Sequence, residues 1–241
     1  MISARWGLAP LALLAASCAK FPEVGDATND TRIVFRMTVA GEIRPDYVYL
    51  VGIRVSEETN PPGTGPQPVV QFPSANGFLA GGATHFVRWD PLQSRAYVLY
   101  RFTDPSTGEN PNEGLTSWRE VGIPINQLDV PTTGTSTGAR TLGFELSTRQ
   151  LSDTAATAAN LQALQVNFIT ANRIAQQNAN GRVYDALGDT RLAGDVNQFV
   201  RIPLTTSNVY DDTRFNDLEP EGDTPDPDVD LVDWSIEVRR Q

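Results

Sequence analysis

Residues 31–55, TRIVFRMTVAGEIRPDYVYLVGIRV, decide the fold class of this chain. The first part of this stretch alternates apolar and polar side chains, with apolar residues at Ile33, Phe35, Met37 and Val39. Because residues two apart on a strand project from the same face, this pattern predicts a strand with one buried face. The second part is apolar on both faces, which predicts a central strand of a sheet.

The same period-two pattern recurs along the chain and predicts strands at residues 31–40, 46–55, 84–89, 96–103, 141–147, 164–170, 198–203 and 231–238. Loops rich in proline, glycine or polar residues separate them at residues 60–68, 104–114 and 131–138. Only the alanine-rich residues 152–161 predict a helix. We therefore expect an all-β fold, a single antiparallel β-sandwich with long loops and at most one short helix, over residues 31–241.

The N-terminal residues have the order of a bacterial lipoprotein signal. Arg5 precedes an uncharged stretch, and small residues lead to Cys18, the only cysteine of the chain. A helix of residues 6–16 reaches about 16 Å, which suits a signal peptide and is too short for a membrane span. The alternative is an ordinary signal peptide in which Cys18 is incidental. We expect residues 1–17 to be a lipoprotein signal peptide and residues 18–30 to be the lipidated N-terminus and a tether.

The charge of the chain limits its partners. The sequence has 29 acidic and 19 basic residues, a formal net charge of −10. Such an acidic surface excludes binding of nucleic acid or anionic lipid head groups through the folded body. We expect the membrane to be bound through acyl chains on Cys18, at the bacterial cell envelope. Ala19 stands where an aspartate would favour retention in the inner membrane, which favours the outer membrane.

No catalytic constellation is evident in the sequence. Residues 134–138, GTSTG, match the G-x-S-x-G pattern of serine hydrolases. However, Thr and Pro flank the motif instead of a strand and a helix, and the single histidine, His85, precedes Ser136. Glu221 and Asp223, the nearest local pair of carboxylates, lie among proline and glycine and not on a strand. We therefore expect a protein that is not an enzyme.

An acidic segment, residues 211–233, is the candidate metal site. An EF-hand is rejected because Leu231 stands where that loop requires glycine. A looser Ca²⁺ site would take its oxygen ligands from Asp217, Glu219, Asp223, Asp226 and Asp228. The alternative is a solvated acidic loop held open by its prolines, and the sequence leaves both interpretations open. No other cofactor is expected.

Ring side chains on or beside the predicted strands are the candidate ligand-binding residues: Tyr47, Tyr49, His85, Trp89, Tyr97, Tyr100 and Trp118. Sugars stack on aromatic faces, although any single ring on a strand is more often part of the core. Tyr47 and Tyr49 are two apart and are predicted to project together. Tyr97 and Tyr100 are three apart and cannot share a face of a regular strand.

Three stretches carry a resemblance to known proteins. Residues 31–55 resemble the opening of bacterial lipoproteins, and residues 217–238, DLEPEGDTPDPDVDLVDWSIEV, are similar to the closing strand of DOMON-like and family 9 carbohydrate-binding modules. Residues 165–188, with NFITANRI and YDALG, fit the same resemblance. It implies a β-sandwich that binds sugars or haem. The usual haem ligands of DOMON modules are a Met and a His, and here Met37 is predicted to face the core, so haem is not expected.

These observations predict a membrane-anchored, non-catalytic envelope lipoprotein whose β-sandwich binds a glycan or a partner protein. The alternative is a structural scaffold subunit of a cell-envelope complex, with contacts made by the loops at residues 60–68 and 104–114. A glycan-binding protein should expose aromatic rings on one concave face. A scaffold should instead expose a flat apolar patch on an edge strand.

The lipoprotein interpretation predicts that Cys18→Ser abolishes membrane association, because the thioether to the lipid needs the cysteine sulfur. Fractionation of cells that express the full chain should move the variant from the membrane pellet to the soluble or secreted fraction. Recovery of Cys18→Ser in the pellet as fully as the wild type would contradict the anchor.

Overall fold

The computed structural model describes residues 30–69, 78–91, 95–105, 115–131, 138–172, 183–192, 195, 198–215 and 219–240. The predicted lipidation site Cys18, the loop residue Ser136 and the predicted ligand Asp217 lie outside the described residues. Within the described ranges, no helix is both long and apolar enough to cross a bilayer.

The described residues are predominantly strand, as the alternating sequence predicts. They form β1 Arg32–Val39, β2 Tyr47–Ser56, β3 Pro66–Pro68, β4 Leu79–Gly81, β5 His85–Trp89, β6 Tyr97–Phe102, β7 Trp118–Gly122, β8 Asn126–Asp129, β9 Thr141–Ser147, β10 Ala163–Asn172, β11 Val183–Ala186, β12 Val200–Pro203, β13 Asn208–Asp211 and β14 Leu231–Arg239. One α-helix, α1 (Ala155–Asn160), and a short 3-10 helix, Asp212–Phe215, join them. The predicted all-β class is confirmed.

The strands build two packed antiparallel sheets and a small hairpin. Sheet I has the order β13-β14-β1-β9-β8. Sheet II has the order β11-β10-β2-β5-β6-β7, with β12 also paired to β10. The hairpin of β3 and β4 is a separate two-stranded unit. Antiparallel sheets packed face to face form the sandwich that the sequence predicts.

The main core lies between the two sheets and consists of the inward side of each alternating strand. Phe168 of sheet II stacks on Trp234 of sheet I, with ring centroids 5.9 Å apart. Within sheet I, Phe35 of β1 stacks on Phe144 of β9 at 5.1 Å. These rings are 4% exposed or less, so removal of apolar surface from water is the main stabilising term.

A second apolar cluster covers the outer face of sheet II. The even-numbered residues Val48 and Leu50 of β2 pack there with Phe86 of β5. Gly52 makes this packing close, because a Cβ atom at that position would lie 2.7 Å from Cδ2 of Leu79, on β4. Sheet II is therefore buried on both faces over its central strands, which explains why β2 is apolar on both sides.

The hydroxyl of Tyr97 joins the sheets through the core. Tyr97 lies on β6 of sheet II and donates a hydrogen bond to the carbonyl of Asp129 in β8, at 2.6 Å. It also accepts a hydrogen bond from the N–H of Gly143 in β9, at 3.1 Å. Both partners belong to sheet I, so one buried side chain satisfies two backbone groups of the facing sheet.

We predict that Tyr97→Phe lowers the free energy of unfolding by about 1–3 kcal/mol, because the buried N–H of Gly143 and the part-buried carbonyl of Asp129 lose their partner. Tyr100→Phe is the matched control. It removes a hydroxyl at a half-exposed position, where the hydrogen-bonded guanidinium of Arg88 can turn to water. Urea denaturation should show a clearly smaller loss for the control, and equal losses would contradict the role given to Tyr97.

Candidate functional site

Three of the predicted ligand-binding rings belong to the main core. Tyr49, Trp89 and Tyr97 are each at most 2% exposed, and Tyr49 packs edge to face on Trp89 at 5.6 Å. Their faces are covered by the opposite sheet, which corrects the expectation that Tyr49 and Trp89 lie on an open platform. Burial raises the pKa of both Tyr49 and Tyr97 above the usual range, so both hydroxyls stay protonated and donate hydrogen bonds.

His85 is also an interior residue. It is 2% exposed, its Nδ1 lies 2.9 Å from Oγ1 of Thr84, and burial followed by the charge of Arg101 lowers its pKa to about 3. The ring is therefore neutral at physiological pH and is not open to a ligand. Met37, the other candidate haem ligand, is 3% exposed and lies within the main core of the sandwich.

The remaining predicted rings reach the surface, but in two different places. Tyr100 and Trp118 lie on the outer face of sheet II, where Tyr100 stacks on Phe86 at 4.8 Å and Trp118 is 38% exposed. Tyr47 lies at the start of β2, beside Tyr184 of β11. The structure thus places Tyr97 and Tyr100 on opposite faces, as their spacing predicts, and does not gather the exposed rings into one platform.

Two of the predicted Ca²⁺ ligands hold the acidic loop, residues 219–230, to the sandwich. Asp228 accepts a hydrogen bond from the N–H of Glu42 at 2.8 Å and forms an ion pair with Arg44. Asp226 accepts a 2.5 Å hydrogen bond from the hydroxyl of Tyr47, which is the main cause of the rise in the pKa of Tyr47 to about 12. These carboxylates are already engaged and lie outside the group described next.

The other two predicted ligands within the described residues meet a residue that the sequence analysis missed. Glu219 and Asp223 come together with Asp185 of β11, and one carboxylate oxygen from each lies within 4.8 Å of the other two. We call these three residues the carboxylate cluster. All three are buried, with Asp185 0%, Glu219 3% and Asp223 7% exposed.

Hydrogen bonds from the backbone position two members of the cluster. The two oxygens of Asp185 accept from the N–H of Ala186 at 2.9 Å and the N–H of Leu231 at 2.7 Å. One oxygen of Asp223 accepts from the N–H of Thr190 at 2.6 Å. The other oxygen of Asp223 and both oxygens of Glu219 are buried and accept no hydrogen bond of ordinary geometry.

The cluster concentrates acidic groups that disfavour each other's ionised form. Burial and the charge of Asp223 raise the pKa of Asp185 to about 8. Burial, then Asp185, Asp223 and Asp212, raise the pKa of Glu219 well above its usual range. Burial and the neighbouring Asp223 also raise the pKa of Asp230. Such perturbed groups are typical of sites that bind protons or cations.

Asp185 was the candidate site residue hardest to find in the sequence. It is the single charged residue between Val183 and Leu187, in a strand that the alternation did not predict. An isolated aspartate in an apolar run was the available signal, because a buried carboxylate needs a partner. Its proximity to the acidic loop comes from pairing of β11 with β10 and not from sequence spacing.

A second surface feature lies at the opposite edge of sheet II. Eight large apolar side chains are exposed among the described residues, and six of them fall within residues 118–130, at 38–45% exposure. We call residues 118–130 the apolar edge; its exposed side chains are Trp118, Val121, Ile123, Ile125, Leu128 and Val130. The segment contains β7 and β8, which are the terminal strands of sheets II and I.

Comparison of the chain with protein-family models, with curated proteins and with solved structures finds no match.

From the carboxylate cluster we predict that the free energy of unfolding falls as pH rises from about 6.5 to about 8. The measurement is made in EDTA so that no cation is bound. With a folded pKa of about 8 against an ordinary value of 3.8, Asp185 keeps its proton in the folded state while the unfolded state has lost it. This proton therefore stabilises the folded state at low pH, and the stabilisation is lost as pH rises through the folded pKa of Asp185. The expected loss is about 1–2 kcal/mol, measured by urea denaturation.

Asp185→Asn should reduce this pH dependence, because the amide does not titrate, and should leave the contribution of Glu219, whose pKa is also raised. His85 does not interfere with this measurement. Its folded pKa of about 3 lies below its ordinary value of 6.5, so it lowers the free energy of unfolding only below about pH 6.5. Arg191, the nearby cation, is exposed and paired with Asp189, and it stays charged throughout. A wild-type stability that is constant over this pH range would contradict the protonated cluster.

Proposed function

We propose that the chain is a lipid-anchored, non-catalytic protein of the bacterial cell envelope, and that its β-sandwich binds a partner protein through the apolar edge. The proposal keeps the predicted anchor at Cys18 and chooses the partner protein over the glycan. The clustering of exposed apolar side chains along residues 118–130, which contain the terminal strands β7 and β8, is the observation that supports it.

The apolar edge combines the two features on which strand-mediated recognition depends. Within the described residues, β7 pairs only with β6, and β8 pairs only with β9, so each has one side with unpaired N–H and C=O groups. Open edges accept an added strand through main-chain hydrogen bonds, and flanking apolar side chains supply burial. An apolar patch on an edge strand is the pattern that we expect of the alternative, a scaffold subunit, and such a subunit also acts by binding partner proteins.

The backbone of the apolar edge is held in place before any partner binds. Ile125 donates its N–H to the carbonyl of Glu145 at 3.0 Å, and the carbonyl of Ile123 accepts from the side chain of Gln150 at 2.7 Å. Trp118 packs on the outer cluster, 6.4 Å from Phe102. A preformed edge loses less conformational freedom on binding than a segment that must first fold.

The partner that fits this edge is an extended segment of another protein with apolar side chains. Pro124 has no N–H and separates β7 from β8, so an added strand pairs with one of the two short segments and does not run along both. A second copy of the chain is a poorer fit, because each copy has a formal net charge of −10.

Glycan binding is a second candidate function because of one pocket. Tyr184, Thr190, Asp223, Thr224, Pro225 and Asp226 line it. A ring face beside hydroxyl and carboxylate groups is the chemistry that recognises a sugar. This pocket offers a single ring, whereas the apolar edge offers six exposed apolar side chains, and for that reason we place the glycan second.

We predict that Leu128→Lys and Val121→Lys each weaken the complex on the order of a hundredfold, because a lysine in the interface leaves a charge without a partner. Native electrophoresis of detergent-solubilised envelopes from the native host should show wild-type full chain in a larger complex. Both variants should migrate as the free chain.

Val209→Lys is the matched control. Val209 is 41% exposed on β13, the opposite terminal strand of sheet I, against 40% for Leu128 on β8. This variant should stay in the complex. Wild type that migrates alone, or equal release by all three variants, would reject the proposal. Purified full chain that dimerises alone would make the partner a second copy, and glycan-array binding lost in Tyr184→Ala would favour the second candidate.

A further inference from the structure

We propose that the carboxylate cluster of Asp185, Glu219 and Asp223 is a divalent-cation site that takes Ca²⁺ in preference to Mg²⁺ and fixes the acidic loop, residues 219–230, to β11. This inference does not depend on the partner-binding function. It rests on the arrangement of buried oxygen atoms at the edge of sheet II that lies opposite the apolar edge.

The spacing of the oxygen atoms fits one bound cation. Calcium binds oxygen at about 2.3–2.6 Å, so two ligands of one ion lie at most about 5 Å apart. One oxygen from each member of the cluster lies within 4.8 Å of the others. Magnesium binds at about 2.0–2.1 Å and demands strict octahedral geometry. A ligand set drawn from β11 and from two positions of the acidic loop suits the larger and more tolerant ion.

Unsatisfied buried oxygens point independently to a ligand. Glu219 is 3% exposed, and neither of its carboxylate oxygens accepts a hydrogen bond of ordinary geometry. The free oxygen of Asp223 is likewise buried without a donor. Buried polar atoms almost always have a partner, and a cation at the centre of the cluster would satisfy all three oxygens at once.

The surrounding hydrogen bonds orient the cluster as a ligand set. Each oxygen of Asp185 accepts one backbone N–H, which fixes the carboxylate and leaves a lone pair on each oxygen. The N–H of Thr190 holds one oxygen of Asp223 and leaves the other oxygen without a backbone donor. Outer hydrogen bonds of this kind orient the ligands of metal sites in proteins.

Within the described part of the chain, no protein cation is in ion-pair contact with the cluster. None of the ion pairs formed there includes Asp185, Glu219 or Asp223. Arg191, which interacts electrostatically with Asp223, is turned to Asp189, which it contacts at 2.8 Å. A divalent ion would neutralise the buried charge that the fold otherwise has to hold as protonated acids.

The surface pocket gives an ion access to the cluster. Asp223 lines that pocket together with Thr190 and Tyr184, so one member of the cluster faces the opening. Calcium takes about six to eight oxygen ligands, and water entering from the pocket would complete the set.

The test uses full-length protein in detergent, stripped with EDTA and titrated with CaCl₂. Calorimetry should show one site per chain. The melting temperature should rise by about 5–10 °C when free Ca²⁺ exceeds its Kd a hundredfold, because the ion binds the folded state only. MgCl₂ at the same concentration should give a smaller rise.

Glu219→Gln and Glu221→Gln are matched variants, two residues apart in the same loop. Glu219 is buried in the cluster and Glu221 is exposed. The first variant should lose at least tenfold in Ca²⁺ affinity yet fold without the ion, because the amide keeps the shape of the side chain and has no charge to bury. The second should bind Ca²⁺ as the wild type does. No rise in melting temperature at millimolar Ca²⁺, or an equal rise in both variants, would overturn the site and leave protonated acids as the state of the cluster.

Discussion

The structure depends on the full-length antiparallel pairing of β2 with β10, in which Tyr47–Ser56 and Ala163–Asn172 match residue for residue. Both strands are buried on both faces along most of their length, so this ladder is the centre of sheet II. Its inner face packs on sheet I and its outer face on the second cluster. A register slip of one residue would exchange the two faces, which have different partners, and the packing on both sides therefore fixes the register.

One end of this ladder also holds the acidic loop. Tyr49 of β2 donates its hydroxyl to the carbonyl of Asp228, and Thr170 of β10 donates to the carbonyl of Val229. Thr170 is paired in turn with Asp185 of β11, whose carboxylate accepts the N–H of Leu231 at the start of β14. The same contacts that connect the sheets bring the carboxylates together. The repulsion between them is a consequence of the architecture, and a proton or a cation has to offset it.

The sequence predicted the strands that carry apolar side chains on a buried face. It missed the strands whose burial or exposure depends on contacts with residues distant in the sequence. Alternation identified β1, β2 and β14 within one or two residues, because one face of each carries the core. The short strands β7 and β8 lack that signal, since their side chains are mostly exposed. For the rings, spacing predicted correctly that Tyr97 and Tyr100 face opposite ways. Spacing does not reveal whether the opposite sheet covers a face, and for that reason Tyr49 and Trp89 were expected at the surface.

In the candidate sites, too, some residues could be predicted from the sequence and others only from the fold. Glu219 and Asp223 were identified because acidic residues crowd one segment, whereas Asp226 and Asp228 in the same segment serve Tyr47 and Arg44. Only the fold distinguishes these two pairs. The carboxylate cluster adjoins β11 and the apolar edge contains β7, so they occupy opposite edges of sheet II. Sites that share no contacts respond independently to substitution. Loss of Ca²⁺ binding and loss of partner binding should therefore be separable in this chain, and a variant at one edge serves as the control for the other.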